Sequence, residues 1–154
     1  MFVIFDYIGY HGPLILTAMT SISLWTRYQY LLSFAVGSIL NMYLNRVLKD
    51  IFREPRPSRR IPFNDETPSG IHVYGFPSGH AQITAFATAF LYLAKGPPVT
   101  VYLMSFILFL TMYQRWKYRL HSVKQLFFGT LFGGGFAWLT IYFTKKVLHG
   151  STTK

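Results

Sequence analysis

The chain of 154 residues contains no cysteine and only five acidic residues, and both shortages narrow what it can be. Without cysteine, disulfide bridges and thiolate metal sites are excluded, and the redox compartment leaves no mark on the sequence. Charged residues make up 13% of the chain, which is about half the fraction usual in soluble domains. Apolar residues make up 51%, and this imbalance favours a membrane protein.

The 15 lysines and arginines outnumber the five acidic residues and give a formal net charge of +10, which indicates an anionic partner. Nucleic acid, anionic lipid headgroups and a phosphorylated substrate are the candidates. The basic residues cluster at the ends of apolar segments and in the loops between them, with no soluble module to present them. We therefore expect membrane lipids and a phosphorylated molecule as partners, and no nucleic acid.

The length of the chain leaves room for one domain, so we expect a single integral membrane domain over residues 1–154. We expect no cleavable signal segment, because Asp6 interrupts the first apolar run and no basic stretch precedes it. The aromatic-rich stretch before residue 13 is interpreted as lying at the membrane interface, where aromatic rings gather.

Five apolar blocks separated by polar stretches predict an all-α fold, a polytopic membrane helix bundle with about five membrane helices. The blocks are Pro13–Trp25, Tyr28–Leu48, His80–Ala94, Val99–Tyr113 and about Ser122–Leu148. The second has about the 20 residues that a bilayer core demands, whereas the third and fourth need snorkelling flanks or local thinning. A soluble bundle of buried helices is the alternative, but almost nothing polar recurs along the fifth block.

Two stripes of small residues predict where the helices approach one another closely. The stripes consist of Gly129 and Gly133 in the fifth block and Ala81, Ala85 and Ala89 in the third. Both are interpreted as helix packing and not as evidence for a cofactor.

With five crossings, the loops 49–75 and 114–121 share one face of the membrane with the beginning of the third block. The first loop opens on KDIFREPRP, in which Lys49 and Arg56 are seven residues apart. Pro55 and Pro57 fix the backbone on both sides of the arginine, and a stiffened guanidinium is a good clamp for oxyanions. The alternative for this pair is interfacial snorkelling.

The third block begins with PSGHAQ, which combines a helix cap with a histidine. Ser78 is a favoured N-cap residue, Gly79 permits close backbone approach, and His80 then falls in the first helical turn. The free N–H groups and positive end of a helix form an anion site, where His80 can give a proton to a departing oxygen. A Ser-Gly-His tripeptide alone also occurs by chance.

The second loop contains QRWKYRLHSVKQ, in which Arg115 and His121 are six residues apart and Gln125 follows four later. This i to i+4 spacing lets the Gln125 side-chain carbonyl reach the imidazole. It would hold one ring nitrogen as a donor and leave the other free as a nucleophile. Taken alone, a membrane histidine is more often an interfacial residue.

The three motifs, in this order and between hydrophobic spans, resemble the signatures of the type 2 phosphatidic acid phosphatase superfamily. The resemblance covers about Asn45 to Trp138, and the stretch EPRP…YGFPSGHAQ is most similar to its dolichyl-diphosphate phosphatase branch. Two positions depart from the common pattern: Gln114 replaces a serine, and Gln125 replaces the aspartate that orients the nucleophilic histidine. Glutamine at the second position also occurs in dolichyl-diphosphate phosphatases and glucose-6-phosphatases.

The resemblance implies a lipid phosphatase whose mechanism needs neither metal nor cofactor. His121 would attack phosphorus to form a phosphohistidine, and His80 would act as acid and then as base. The phosphate oxygens would be held by the remaining motif residues, which are Lys49, Arg56, Arg115, Ser78 and Gly79. Gln125 would orient the nucleophile.

Three interpretations of the function stay open at this point. The substrate is a lipid monophosphate or diphosphate, or it is a soluble sugar phosphate, or the chain is a catalytically weak or inactive structural membrane protein of a larger assembly. A homo-oligomer and a larger membrane assembly are the two expectations for protein partners. The resemblance implies an integral, multi-pass protein of the endoplasmic reticulum or another internal membrane. The orientation stays open because the basic residues that would indicate it are also the expected phosphate ligands.

The stretch 58–76 is long for a loop without secondary structure, and such loops are usually functional or disordered. We expect it to form a lid or a headgroup-recognition element. Asp65 and Glu66 would pair with Arg59 and Arg60 or keep the loop solvated. Near the other end of the chain, the basic pair at residues 145–146 is interpreted as an interfacial anchor.

Overall fold

A computed structural model describes residues 3–61, 63 and 70–150 of the protein. Within these residues the regular elements are six α-helices and one short 3-10 turn, with no β-strand. The helices are α1 Val3–Tyr10, α2 Gly12–Ser23, α3 Tyr28–Phe52, α4 Gly79–Leu93, α5 Pro98–Lys117 and α6 Val123–Gly150, and the 3-10 turn is Gly70–Val73. The prediction of an all-α fold is confirmed.

Helix α4 lies at the centre of the bundle and packs against α2, α3, α5 and α6. Its sequence is apolar nearly all round, as expected of a helix that is surrounded by others. Phe86 and Phe90 are buried in the core, where the Phe34 ring of α3 lies 5.7 Å and 5.3 Å from their ring centres. The central position of α4 fixes the place of its N-terminus, where the motif PSGH lies.

Small residues let α6 lie directly against the beginning of α4, as the glycine stripe predicts. A Cβ atom added to Gly129 would lie 2.6 Å from the Ser78 carbonyl oxygen, and one added to Gly133 would collide with the Gln82 carbonyl. Ala81 belongs to the same contact, because its Cβ would lie 3.1 Å from the Gly129 Cβ. This close approach brings the beginning of α6 beside the N-terminus of α4.

The outer surface of the bundle is apolar over much of its area. Large side chains such as Ile39, Tyr43, Phe109 and Trp138 are more than half exposed, which is unusual outside a membrane or an interface. Two helices are long and apolar enough to cross a bilayer, α3 over Tyr28–Phe52 and α6 over Val123–Leu148. The crossing of the membrane by α2, α4 and α5 stays a prediction.

The helices differ from the predicted blocks in three places. The aromatic stretch before residue 13 forms a helix of its own, α1, which packs along α5. Helix α5 continues past Tyr113 to Lys117, so Gln114 and Arg115 lie on its last turn and not in a loop. Helix α3 continues past Leu48 to Phe52. In both extended helices, polar residues on the last turn are buried against neighbouring elements, which apolar runs alone do not reveal.

Residues 62 and 64–69 of the predicted lid 58–76 lie outside the described residues, and so do the suggested ion pairs with Asp65 and Glu66. In the described part of this stretch, Gly70–Val73 forms the 3-10 turn. The role of the stretch as a lid or headgroup-recognition element stays a prediction.

Candidate active site

A buried ladder of amide side chains fixes the register between α3 and α4. Gln82 donates from Nε2 to the Asn41 backbone oxygen at 3.0 Å and to Asn41 Oδ1 at 2.9 Å. Its own Oε1 accepts from Asn45 Nδ2 at 2.8 Å. Polar groups bonded across helices in a low-dielectric interior hold one arrangement firmly. The ladder therefore sets Lys49, one turn beyond Asn45, beside the N-terminus of α4.

Lys49 is 2% exposed, and its ammonium group donates to the Tyr74 carbonyl at 2.6 Å. The chain leaves α3 at Arg53, which takes a left-handed conformation with φ 44°. It then runs beside residues 72–75, where an isolated β-bridge joins Pro55 to Tyr74. This turn brings Arg56 back over Lys49.

The Arg56 guanidinium is held by backbone carbonyls on both sides of the pocket. It donates to the His72 carbonyl at 2.9 Å and 3.1 Å and to the Leu120 carbonyl at 3.0 Å. Its Nη1 also lies 3.2 Å from His121 Nε2. Because the two carbonyls belong to the two motif loops, Arg56 ties these loops together, and the stiffening expected from Pro55 and Pro57 stays a prediction.

The contacts of His121 determine which of its nitrogens carries the hydrogen. A guanidinium only donates, so Nε2, which faces Arg56, must be the acceptor. Nδ1 lies 2.9 Å from the Gly75 carbonyl and 3.2 Å from Gln125 Oε1, so it donates to these oxygens. The imidazole is therefore held with a lone pair on Nε2 at the pocket, and the predicted contact with Gln125 is confirmed.

The Gln125 amide is fixed in its turn by acceptors on its nitrogen side. Its Nε2 donates to Glu54 Oε1 at 3.0 Å and to the Pro55 carbonyl at 2.9 Å, so Oε1 must face the imidazole. Burial acts to raise the pKa of Glu54, but hydrogen bonds from Lys124 and Gln125 outweigh it and hold the pKa below its ordinary value. A carboxylate thus stands behind the glutamine, one hydrogen bond farther from His121 than the family pattern implies.

The second histidine lies at the beginning of α4 beside Arg115. His80 Nε2 is hydrogen-bonded to a terminal guanidinium nitrogen of Arg115, which is 2% exposed. The imidazole also hydrogen-bonds the Tyr10 backbone carbonyl of α1. Since Nε2 faces a donor, the hydrogen given to the carbonyl sits on Nδ1 in the neutral ring. The Tyr10 ring lies 5.3 Å from the Arg115 guanidinium carbon, within the range of a cation–π contact.

The pocket is electrostatically positive at His121. Burial, followed by the charges of Arg56, Lys49, His80 and Arg115, holds the pKa of His121 well below its ordinary value. Lys49 and Arg56 of the first motif and Arg115 of the third therefore act on one imidazole, which stays neutral at neutral pH. A neutral imidazole with an outward lone pair beside guanidinium groups is suited to attack an anionic phosphorus centre.

The sequence matches the model of the PAP2 superfamily over residues 30–148. The chain belongs to this family. The match includes α3, both motif loops and the beginning of α4, so the PAP2 assignment covers every sequence-predicted site residue.

Comparison with curated PAP2 relatives gives modest identity. The chain is 25% identical to human Dolichyldiphosphatase 1 over 158 residues, which covers 92% of this chain and 64% of the human protein. It is 26% identical to Dolichyldiphosphatase 1 of Plecturocebus moloch over 154 residues, covering 89% of this chain and 63% of that protein. The chain thus spans slightly less than two thirds of the length of these relatives.

The fold is similar to a solved PAP2 structure, the transmembrane PAP2-type phosphatidylglycerolphosphate phosphatase from Bacillus subtilis. The TM-score is 0.62 with 16% sequence identity, and the match covers 94% of this chain and 86% of the other. This likeness concerns the fold alone. The family assignment and the two long apolar helices α3 and α6 indicate that this PAP2 chain is a membrane protein.

The structure brings Lys49, Arg56, His80, Arg115 and His121 around one pocket, but two predicted ligands have other contacts. Ser78 caps α4, where its hydroxyl accepts from the Ala81 N–H at 3.4 Å and its own N–H donates to the Gln125 carbonyl at 3.0 Å. Gly79 begins the helix, and an added Cβ would lie 3.2 Å from Asn45 Oδ1. Phosphate contacts of both residues stay predictions.

Gln114, the other departure from the PAP2 pattern, lies between α5 and α1. A Cβ added to Gly9 would lie 2.8 Å from the Gln114 Cβ. The Gln114 side chain is fully buried, and its amide forms no hydrogen bond with the part of the chain that the structure describes. This departure therefore lies in the packing of α1 against α5.

Sequence reasoning missed the contribution of α1 to the site. Asp6 accepts hydrogen bonds from Lys117 at 2.6 Å and from the Tyr118 hydroxyl at 3.1 Å. This contact clamps α1 along the end of α5, which brings Tyr10 to Arg115 and His80. The one available signal for this contact was Asp6 itself, because it is an acidic residue within an apolar run of a chain that is rich in lysine and arginine.

Proposed function

We propose that the protein is a membrane phosphatase that removes phosphate from a lipid monophosphate or diphosphate through a phosphohistidine on His121. The observation that carries this proposal is the hydrogen bonding of His121. Its Nδ1–H is bonded to the Gly75 carbonyl and Gln125, while its Nε2 lone pair lies 3.2 Å from Arg56. This is the state that an attacking imidazole needs.

In the first step, Nε2 of His121 forms a bond to phosphorus and the bond from phosphorus to the leaving oxygen breaks. His80, whose Nε2 accepts from Arg115 before substrate binds, takes a proton from solvent on Nε2 and gives it to the leaving oxygen. The product is an alcohol from a monoester, or a lipid monophosphate from a diphosphate. The Gly75 carbonyl and Gln125 keep the hydrogen on Nδ1, so the positive charge that develops on the ring has acceptors in place.

In the second step, water attacks the phosphohistidine and the phosphorus–nitrogen bond breaks. His80 takes the water proton, and inorganic phosphate and neutral His121 are released. In both steps Lys49, Arg56 and Arg115 stabilise the charge on the three equatorial oxygens. The N–H groups at the beginning of α4 complete the cradle.

A lipid substrate is supported by the position of the site beside an apolar outer surface and by the names of the relatives. The curated relatives are dolichyldiphosphatases, which favours a polyprenyl diphosphate. The protein would then be one multi-pass domain of an internal membrane, with α2 to α6 crossing the bilayer and the pocket at one face. The lipid tail stays in the membrane while the phosphate enters among the cations.

Phosphate release by the protein purified in detergent tests the proposal. A prenyl diphosphate, a phosphatidate and a hexose phosphate are compared side by side, with His121→Ala as the variant. We expect release from a lipid substrate by the wild-type protein and none by His121→Ala. Equal release by both proteins would contradict the role of His121.

Two other outcomes identify the competing functions. Preferential release from hexose phosphate indicates a sugar phosphatase at the same site. No release from any substrate by a folded protein favours a structural role in a membrane assembly. The acid stability of the phosphoprotein trapped by a rapid quench identifies the intermediate. Phosphohistidine is lost in acid, whereas a phosphoserine is retained.

A further inference from the structure

An apolar groove runs between α4, α5 and α6 on the half of the bundle away from the catalytic pocket. Its volume is about 840 Å³, and its walls include Ala85, Ala89, Val101, Leu108 and Gly134. Small residues on α4 and α6 create the groove, since a Cβ added to Gly134 would meet no heavy atom within 4 Å. The groove is large enough for a lipid chain, because pockets for small ligands measure roughly 300–1,000 Å³.

The mouth of the groove lies at the turn between α4 and α5 and is marked by Lys95, Tyr92 and Tyr102. All three side chains are exposed, and both tyrosines are more than 60% so. Tyrosines together with a lysine are the residues that mark the boundary between hydrocarbon and headgroups. The mouth is therefore built as an interfacial site.

The charge at this end of the bundle is positive and lacks an acidic counterpart among the described residues. Asp6, Asp50 and Glu54 lie at the catalytic end, and the sequence has no acidic residue from 67 to 154 or from 7 to 49. Arg27 joins Lys95 at this turn, where it donates to the Ala94 carbonyl. An anion from outside the described chain is the complement to such a mouth.

The short length of α4 explains why an anion would bind at this turn. Fifteen residues rise about 22 Å, which is less than the roughly 30 Å of a hydrocarbon core. With the catalytic pocket at one face, as proposed above, Lys95 lies below the level of the opposite headgroups. A lipid whose headgroup is drawn toward Lys95 relieves this mismatch.

We propose that the groove binds one anionic phospholipid from the leaflet opposite the catalytic pocket. Its acyl chain lies against Ala89, Val101 and Gly134, and its phosphate contacts Lys95 at the mouth. The inference uses the proposed membrane placement and does not depend on catalysis. The site is distinct from the catalytic pocket, because the groove walls come from the middle and far half of α4, the first half of α5 and α6, and include no residue of the motif loops.

Native mass spectrometry of the full protein in mild detergent tests this site with phosphatidylglycerol and phosphatidylcholine as probes. We expect one phosphatidylglycerol to be retained preferentially. Lys95→Gln should weaken its retention about fivefold, since one lysine near a headgroup contributes about 1 kcal/mol. Gly134→Leu should abolish it by filling the groove.

Gly135→Leu is the matched control, because a Cβ at Gly135 also meets no atom within 4 Å but Gly135 does not line the groove. It should retain phosphatidylglycerol as the wild-type protein does. Far-ultraviolet circular dichroism and thermal unfolding verify that each variant is folded. Where Gly134→Leu does not fold, Gly134→Val and Ala89→Leu provide the same test.

Three results would overturn the proposal. The first is equal retention of both lipids by the wild-type protein, which would mean that the groove contacts hydrocarbon chains without selecting the headgroup. The second is unchanged retention in Lys95→Gln and Gly134→Leu. The third is displacement of phosphatidylglycerol by a prenyl phosphate, which would assign the groove to the substrate tail. None of these results depends on phosphate release, so failure here is separable from failure of the proposed catalysis.

Discussion

The two histidines of the pocket are held in different ways. His121 has partners on both nitrogens within the motif segments, which are the Gly75 carbonyl, Gln125 and Arg56. His80 is held by Arg115 and by the Tyr10 carbonyl of α1, a helix outside all three motifs. The proposed nucleophile is thus positioned by residues of the motif segments, whereas the proposed proton donor depends on a peripheral helix. Changes near His121 should affect the chemistry itself, and changes near α1 should affect mainly the departure of the leaving group.

The largest expected difference is between the two alanine variants. His121→Ala removes the nucleophile, and we expect no measurable turnover with any substrate. His80→Ala loses general acid catalysis, which contributes about 10²- to 10⁴-fold. The leaving oxygen of an aryl phosphate needs little protonation. With this substrate, His80→Ala should regain most of the activity that it lost, and His121→Ala should regain none. Recovery by both variants would remove the distinction between the two roles.

A smaller effect is expected when the support of His121 is removed. Gln125→Leu should lower kcat about tenfold to a hundredfold, the cost of one buried hydrogen bond, because the Gly75 carbonyl still accepts from Nδ1. Loss of the correct tautomer in a serine-protease triad costs about 10⁴-fold. Steady-state kinetics measure the loss in kcat. A loss of 10⁴-fold would mean that the Gly75 carbonyl alone does not hold the tautomer of His121.

Tyr10→Leu tests the support of the other histidine and should have a smaller effect. The backbone carbonyl remains, whereas the ring loses its contact with Arg115 and its packing against His11 and Phe63. A cation–π contact of about 1 kcal/mol predicts a fivefold increase in KM with little change in kcat. Tyr43→Leu is the matched control, since Tyr43 is 66% exposed on α3 and should behave as the wild-type protein does.

The smallest expected effect is on the pH dependence of stability. The pKa of folded His121 lies well below its ordinary value, which is about 6.5 in the unfolded chain. The unfolded state therefore binds more protons as the pH falls below about 6.5, so the free energy of unfolding decreases there. His121→Asn should reduce this slope in urea or thermal unfolding measured between pH 7 and pH 5. An unchanged slope would show that His121 is not the group responsible.

The direct titration of His121 gives a separate measurement. Its imidazole signals in an NMR titration should show a neutral ring at pH 7 and protonation well below the ordinary range. Arg56→Gln removes a neighbouring positive charge and should move the pKa upward. A midpoint near 6.5 in the wild-type protein would contradict the positive pocket.

The positions of the helices followed from the sequence for physical reasons, whereas the resemblance to the family singled out the five pocket residues. Long apolar runs bounded by Pro97, Pro98 and basic residues predict helices between these boundaries, so the helix positions were largely predictable. Ordered motifs at fixed distances from helix ends placed Lys49, Arg56 and His121 at one face of the bundle. The predicted contact of His121 with Gln125 is present, although His121 lies two residues before α6 begins and not within the helix.

Other parts of the site carried no readable pattern. The Gly75 carbonyl is a backbone atom, and any residue would supply it. The link from Gln125 to Glu54 spans 71 positions and depends on how the loop after α3 turns. Helix α1 has only eight residues, too few for a distinct apolar period, so Tyr10 could not be assigned to the pocket. Ser78 was correctly predicted as a cap, in which its hydroxyl oxygen accepts from the Ala81 N–H and keeps its own hydrogen to donate.

The bond between Asp6 and Lys117 closes a loop of 111 residues. Because α1 supplies the carbonyl that holds His80, the proposed proton donor is not in place until the last turn of α5 has formed. We expect a form of the chain in which α5 has not formed to bind anions weakly and to release no phosphate. In such a form, cleavage by a protease in the segment between α1 and α2 should be fast, and its slowing would report the moment at which the pocket becomes complete.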